Sequence, residues 1–152
     1  MRANELMIGN YVRIGDNNKY SGAIGKIVSL QYHQEEDGAY FNVFIRGSKG
    51  ILTVEVFNED LYPIELNDNI LRNNFEPIDI HGYYDYRLCE KGKPDMWRLW
   101  TNPNYGYIAG TLVIDEFGGG IYEPCVPIRY VHELQNFLTL LKIKTEIILT
   151  DD

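Results

Sequence analysis

The sequence is short of cysteine, of long hydrophobic runs and of clustered positive charge. Its 152 residues include two cysteines, Cys89 and Cys125, which lie far apart without the spacing of a metal-ligand pair. No apolar run approaches the roughly 20 residues that a membrane-spanning helix needs. The start of the chain also lacks the apolar core of a secretory signal peptide. These absences predict a soluble, cytoplasmic protein without a membrane partner, in which both thiols are reduced and half-buried.

Acidic residues outnumber basic residues along the chain, with a slightly basic first hairpin as the exception. The 22 acidic and 14 basic side chains give a formal net charge of −8. The charges are spread along the chain, and no segment offers the dense lysine and arginine patch that phosphate binding normally needs. An acidic balance disfavours nonspecific adhesion to nucleic acids and membranes. Nucleic acid is therefore not the favoured partner.

Strand-forming segments dominate the first part of the chain. Glycine-rich or polar stretches separate five short segments rich in β-branched and aromatic residues. These predicted strands cover residues 7–14, 23–32, 40–45, 51–57 and 61–66. Pro63 is typical of an edge or terminal strand, and Gly25 predicts a bend or bulge. Such closely spaced strands within residues 1–66 predict a small closed or half-closed barrel.

The second part of the chain combines strands with two helices. The pattern predicts a short helix over 69–75, a linker over 76–82, and strands over 83–89, 96–101 and 107–114. An extended peripheral segment at 121–128, a helix at 130–141 and a last short strand at 146–149 follow. The predicted fold class is therefore α+β and β-rich. A barrel over 1–66 precedes an antiparallel sheet over 67–152, packed by the C-terminal helix, as two domains or one compact unit.

The first hairpin carries a recognisable glycine pattern. The pattern comprises Gly9-x-Tyr11-Val12-Arg13-Ile14 followed by Gly22-x-x-Gly25-Lys26-Ile27-Val28. It resembles the KOW-type motif of SH3-like barrels over about residues 7–32, which implies that fold and RNA or ribosomal partners. The basic residues available here are Arg13, Lys19 and Lys26, against the single acid Asp16. Nucleic-acid binding is accordingly the runner-up function, because the glycines alone serve backbone geometry equally well.

A second resemblance touches both ends and the middle of the chain. Its residues are Ala3-Asn4-Glu5-Leu6, Ile8-Gly9-Asn10-Tyr11-Val12, Pro63-Ile64-Glu65-Leu66 and Arg129-Tyr130-Val131-His132-Glu133-Leu134-Gln135-Asn136. In this order they resemble a family of proteins encoded in Bacteroides genomes, their prophages and mobile elements. The resemblance implies a phage or mobile-element origin and no activity. It does not extend to residues 83–123.

Aromatic residues are concentrated in the middle of the chain. Seven lie within 25 residues: Tyr83, Tyr84, Tyr86, Trp97, Trp100, Tyr105 and Tyr107. On adjacent strands they divide between two faces, of which one builds a core. An exposed second face would be an interaction or self-association surface, and exposed rings also stack on bases or sugars. The alternative is that both faces are covered, one of them by the C-terminal helix.

The polar side of the C-terminal helix offers a second set of candidates. His132, Gln135 and Asn136 would form a recognition surface for a partner chain. The favoured alternative is that these side chains bond to the backbone of a neighbouring loop. A single histidine at a helix start is weak evidence for catalysis.

No pattern in the sequence assigns catalysis, a metal or a cofactor. His33, His81 and His132 are potential bases, but no nucleophile signature surrounds either cysteine. Glu35-Glu36-Asp37 would hold a cation only loosely, and Gly118-Gly119-Gly120 lacks the lysine of a phosphate loop. The favoured function is therefore a non-enzymatic interaction or accessory protein. Its partner is a protein, either another chain or a second copy. A hydrolase with a carboxylate site is the weakest alternative.

Overall fold

A computed structural model describes residues 5–33, 38–47, 50–80, 83–89, 96–114 and 116–149. Ala3, Asn4, Glu35, Glu36, Asp37 and His81, named above, lie outside these residues, as do the side chains of His33, Tyr83 and Tyr84. The chain forms two compact units. Unit 1 comprises Met1–Glu65 and Tyr130–Asn136, and unit 2 comprises Leu66–Arg129 and Phe137–Asp152. The division of the chain into domains at 1–66 and 67–152 stays a prediction.

Unit 1 contains one antiparallel sheet, called sheet 1. Its strands are β1 (Tyr11–Ile14), β2 (Ile24–His33), β3 (Gly38–Gly47), β4 (Gly50–Phe57) and β5 (Leu61–Tyr62), with a 3₁₀ turn at Asn58–Asp60. They lie in the order β4-β3-β2-β1-β5. One face packs an apolar core that includes Val12, Ile27 and Phe41. No ladder joins β4 to β5 in the described strands, so the predicted barrel is not closed.

Gly25 lies where two strands approach closely. A Cβ atom there would collide with the side chains of Val43 and Ile45 and with the Phe44 carbonyl. Only glycine therefore lets β2 lie this close to β3. The bulge lies further along, between Ile27 and Ser29, where the register shifts. The predicted bulge exists in this strand, but Gly25 itself provides the close approach.

Unit 2 contains the second antiparallel sheet, called sheet 2. Its strands are β6 (Glu76–Ile80), β7 (Tyr83–Arg87), β8 (Trp97–Asn102), β9 (Gly106–Ile114) and β10 (Gly120–Ile128), in the order β10-β9-β8-β7-β6. The predicted linker at 76–82 is wrong, because β6 pairs with β7 over its whole length. Pro77 is tolerated there since an edge strand can lack a ladder donor. The two sheets and the helices below confirm the β-rich α+β class.

The two helices lie close to their predicted positions. Helix α1 spans Asp68–Asn74, and the Asn67 side chain caps it by accepting the Ile70 N–H at 3.0 Å. Helix α2 spans Val131–Leu140, and the Glu133 carboxylate accepts the Tyr130 N–H just before it. None of the described helices is long and apolar enough to span a membrane.

The predicted strand at 146–149 is wrong. Those residues form no regular strand, although Ile147 is buried. The Asn74 side chain instead accepts the Ile148 N–H and donates to the Ile148 carbonyl at 2.9 Å. A side-chain amide thus takes the place of a neighbouring strand, because it offers one donor and one acceptor as a peptide group does.

Candidate interaction surfaces

The outer face of sheet 2 carries a row of side chains that crosses all five strands. Tyr86, Leu99 and Ala109 are register partners and fully buried, so they face the core. Neighbouring residues along each strand point to the opposite face. The adjacent row is Ile78, Asp85, Trp100, Ile108 and Pro127. Ile78, Trp100 and Ile108 are half-buried, and this aromatic and aliphatic row is therefore accessible to a partner.

Trp100 lies against the backbone of β9. A Cβ atom at Gly110 would collide with the Trp100 ring and with the Glu123 carbonyl. Glycine at this position therefore provides the space that the indole ring occupies. Beyond it, the Arg98 guanidinium stacks on Tyr122 with its carbon 4.0 Å from the ring centroid, and Tyr122 pairs with Leu112. The outer face of sheet 2 thus combines the rings of Trp100 and Tyr122 with two cations, Arg98 and its register partner Arg87.

Two acidic side chains belong to this surface. Glu76 pairs with Arg87 in the register and forms an ion pair with it at 3.2 Å, and Asp85 lies beside Trp100. Burial raises the pKa of the Asp85 carboxyl above its ordinary value, and the charge of Arg98 partly offsets the rise. A half-buried carboxylate among apolar side chains is costly unless it is paired. Asp85, Glu76, Arg87 and Arg98 therefore place four charged side chains on a face whose central row is mostly apolar.

Other predicted aromatic candidates lie elsewhere in unit 2. Trp97 points to the core side and packs edge-on against Phe137, with ring centroids 5.4 Å apart. Tyr86 and Tyr107 are buried, and neither belongs to an exposed surface. Tyr105 is exposed in the turn between β8 and β9. The side chain of Tyr84 lies outside the described part of the chain, so Trp100 is the predicted candidate placed on the outer face of sheet 2.

The buried tyrosines form a polar group within unit 2. The Tyr107 hydroxyl donates to Asp68 at 2.8 Å, whereas the buried Tyr86 hydroxyl makes no hydrogen bond of good geometry. Burial raises the pKa of both hydroxyls, with Asp68 adding to the rise. Both tyrosines therefore stay protonated at neutral pH. Neither hydroxyl can therefore act as a base. No pattern in the sequence indicated this cluster.

The polar helix residues hold the loop before β1 within unit 1. The Gln135 side chain accepts the Tyr11 N–H at 2.8 Å and donates to the Gly9 carbonyl at 3.1 Å. Asn136 donates to the Glu5 carbonyl and accepts from the Asn10 side chain. These are the loop contacts that the favoured interpretation of the sequence expects.

His132 is buried in unit 1. Its ring stacks on Tyr130 with centroids 5.8 Å apart, and its Nδ1 atom makes no hydrogen bond. Burial lowers the pKa of His132 below its ordinary value of 6.5, while Glu133 and Glu5 act against the fall. A neutral imidazole packed inside the unit is a structural group, not an accessible recognition side chain.

The basic residues of the first hairpin occupy two separate places. On neighbouring strands, Lys26 lies between Tyr11 and Phe44. Arg13 lies between Tyr62 and Ile24 in the same way. The outer face of sheet 1 therefore combines two cations with three aromatic rings, of which Phe44 is 45% and Tyr62 51% exposed. Lys19 lies in the loop instead, 4.9 Å from the Tyr20 ring centroid. Sequence reasoning missed Phe44 and Tyr62, because only strand pairing places them beside Arg13 and Lys26.

The two cysteines do not form a site. Both are free thiols; Cys89 is half-buried and Cys125 is exposed. The prediction of a half-buried thiol is confirmed at Cys89 and wrong at Cys125, because the register shift between Pro124 and Val126 leaves Cys125 at a bulge on an edge strand. The described residues contain no group of three or more histidine, cysteine or acidic side chains able to hold a metal ion.

The chain matches no protein-family model, no curated protein and no solved structure. The KOW-type resemblance and the phage or mobile-element origin therefore stay predictions.

Proposed function

We propose that the protein is a non-enzymatic interaction protein that binds another protein through the outer face of sheet 2. The observation that carries the proposal is the half-buried row centred on Trp100, which crosses every strand of that sheet. Tryptophan, tyrosine and arginine are the residues most enriched at the energetic centres of protein interfaces. Trp100, Tyr122 and Arg98 bring all three types together on this face.

The test compares Trp100→Ala with Phe117→Ala in a binding measurement. Phe117 is an exposed aromatic residue of the same unit that lies outside the sheet, so it is a matched control. A partner captured by the wild-type protein is purified and titrated against each variant by calorimetry. Loss of a central aromatic anchor costs at least about 2 kcal/mol, or roughly 30-fold in affinity. Equal affinity of the two variants would refute the assignment of this face.

We also propose a phage or mobile-element origin and an SH3-like fold for unit 1. The strand order β4-β3-β2-β1-β5, with a 3₁₀ turn before β5, supports the fold. The open ladder between β4 and β5 is the point against it. An origin in a mobile element is tested by the neighbouring genes: housekeeping neighbours on both sides would speak against it.

Nucleic-acid binding is the second candidate, and the outer face of sheet 1 favours it. Arg13 and Lys26 provide two positive charges for phosphates, and Tyr11, Phe44 and Tyr62 provide rings for bases. With two phosphate contacts, the affinity for single strands would fall with salt at a log–log slope of about −1.4. Fluorescence anisotropy of labelled single-stranded RNA and DNA measures this slope.

A charge-matched pair of variants tests this second candidate. Arg13→Glu with Lys26→Glu should abolish binding, whereas Lys19→Glu with Lys144→Glu should weaken it only through net charge. Phe44→Ala should weaken binding by about 1–3 kcal/mol if the ring stacks on a base. Absence of binding at low salt, or equal losses from the two double variants, would exclude the face as a nucleic-acid site.

A further inference from the structure

Three of the four sheet edges carry features that block the pairing of another strand. Strand β5 has two residues and is followed by Pro63. Strand β6 contains Pro77 and the acidic residues Glu76 and Asp79, and β10 contains Pro124, Pro127 and a bulge. Short length, proline, charge and bulges are the devices by which proteins prevent edge-to-edge association.

Strand β4, the fourth edge, carries none of these features. It runs for eight residues as Gly-Ile-Leu-Thr-Val-Glu-Val-Phe, with no proline, no lysine and one charge, Glu55. It pairs with β3 from Gly50 to Phe57 without a register shift, so the strand is regular. Ile51 is 73% and Leu52 40% exposed. A long, regular, apolar edge is a template for strand addition.

A cleft of about 440 Å³ lies along this edge. One wall is Thr53, Val54 and Glu55 of β4, and the opposite wall is the loop of residues 17–20. Side chains alternate between the two faces of a strand, so three consecutive residues line the same cleft only where it borders the strand's edge. The free side of β4 therefore faces an open space with a second wall.

We propose that the β4 edge binds an extended segment of a partner protein, which adds a sixth strand to sheet 1 through main-chain hydrogen bonds. Because the loop of residues 17–20 also lines the cleft, the occupant that we propose is a single strand and not the sheet of a second copy. Glu55 on one wall and Lys19 on the other favour a segment with a basic side chain near β4 and an acidic one near the loop. This site is separate from the outer face of sheet 2.

The probe for the test is a capped peptide of about eight residues, the length of β4, with alternating valine and threonine, one lysine and one glutamate. Hydrogen exchange of the full-length protein reports whether β4 amides become protected. A peptide of the same sequence with alternate backbone nitrogens methylated is the matched control, because it keeps the side chains and loses the donors. We expect protection of β4 by the first peptide and at least about tenfold weaker binding of the second.

A charge exchange checks the orientation of the segment. Glu55→Lys should lower the affinity for the peptide that contains lysine. The same substitution should raise the affinity for a peptide in which glutamate replaces that lysine. Trp100→Ala should leave both affinities unchanged, so the outcome is independent of the outer face of sheet 2.

Three results would overturn the proposal. The first is unchanged hydrogen exchange of the β4 amides at a saturating concentration of the peptide. The second is equal affinity for the methylated and unmethylated peptides. The third is a protein of twice the monomer mass in solution, whose association is abolished by Ile51→Lys but not by Ile121→Lys. The last result would make a second copy the occupant. Ile121 is the control because it is exposed on the proline-containing edge strand β10.

Discussion

Units 1 and 2 contain five-stranded antiparallel sheets of similar size, yet the edges of the two sheets differ. Unit 1 buries the polar side chains of Asn10 and His132 beside its apolar cluster, and the edge of its sheet at β4 has no proline and no bulge. Unit 2 encloses the hydroxyls of Tyr86 and Tyr107 beside Asp68, and prolines interrupt both of its edges. The difference places the proposed strand-addition site of unit 1 at an edge and the proposed partner surface of unit 2 on a face. A sheet whose edges cannot accept a strand offers a partner its side chains, whereas an open edge offers its backbone.

The apolar cluster of unit 1 should respond most strongly to truncation. Phe41 is fully buried in that cluster, and Phe44 lies on the outer face of the same strand. Phe41→Ala should lower the free energy of unfolding by about 3–5 kcal/mol, because it leaves a cavity as well as losing burial. Phe44→Ala should cost less than about 1 kcal/mol. Urea denaturation measures both, and similar losses would show that the two faces of β3 are not distinct.

The polar interior of unit 2 should respond unequally at its two tyrosines. Tyr107→Phe removes the hydrogen bond to Asp68 and should lower the free energy of unfolding by about 1–2 kcal/mol. Tyr86→Phe removes a buried hydroxyl without a hydrogen bond, so stability should stay the same or rise by about 1 kcal/mol. Thermal and urea unfolding of the two variants check the contrast. A clear loss from Tyr86→Phe would mean that its hydroxyl is bonded in solution.

The buried histidine of unit 1 should make a smaller, pH-dependent contribution. The pKa of His132 in the folded protein is lower than its ordinary value of 6.5. Below pH 6.5, the unfolded chain therefore binds a proton at this histidine more readily than the folded protein does. The stability linked to His132 is therefore complete above about pH 6.5 and is lost as pH falls towards the folded-state pKa.

The measurement is the urea midpoint between pH 7.5 and pH 5 for wild type and His132→Gln. We expect a shallower dependence on pH in the variant, because glutamine does not titrate. The carboxylates remain in both proteins, so their effect cancels in the comparison. Parallel curves would show that His132 is solvated and carries its ordinary pKa.

Local patterns in the sequence predicted most of the elements. The cap at Asn67 and the apolar spacing of residues 130–141 place α1 and α2, because capping and helical periodicity are properties of neighbouring residues. The errors at 76–82 and 146–149 have another cause. The edge position of β6 tolerates Pro77 within a strand, and Ile148 is held by the Asn74 side chain, 74 residues away.

The candidate site was predicted only in part. Alternation along β8 correctly divides Trp97 and Trp100 between two faces, since the side-chain period of a strand is two. It does not reveal which face is covered, and the neighbours of Trp100 come from register with β7 and β9. Phe44 and Tyr62 join Arg13 and Lys26 for the same reason.

By itself, the sequence determined the acidic balance, the β-rich class and the two helices. Composition and short-range periodicity decide these properties, and both are local. Only the tertiary structure decided that β4 is an open edge, that Trp100 lies over Gly110, and that Gln135 binds the backbone at Gly9 and Tyr11. The physical reason is that an edge, a face and a long-range hydrogen bond each depend on which distant segments pair. Strand register settles that pairing, and no stretch of neighbouring residues contains it.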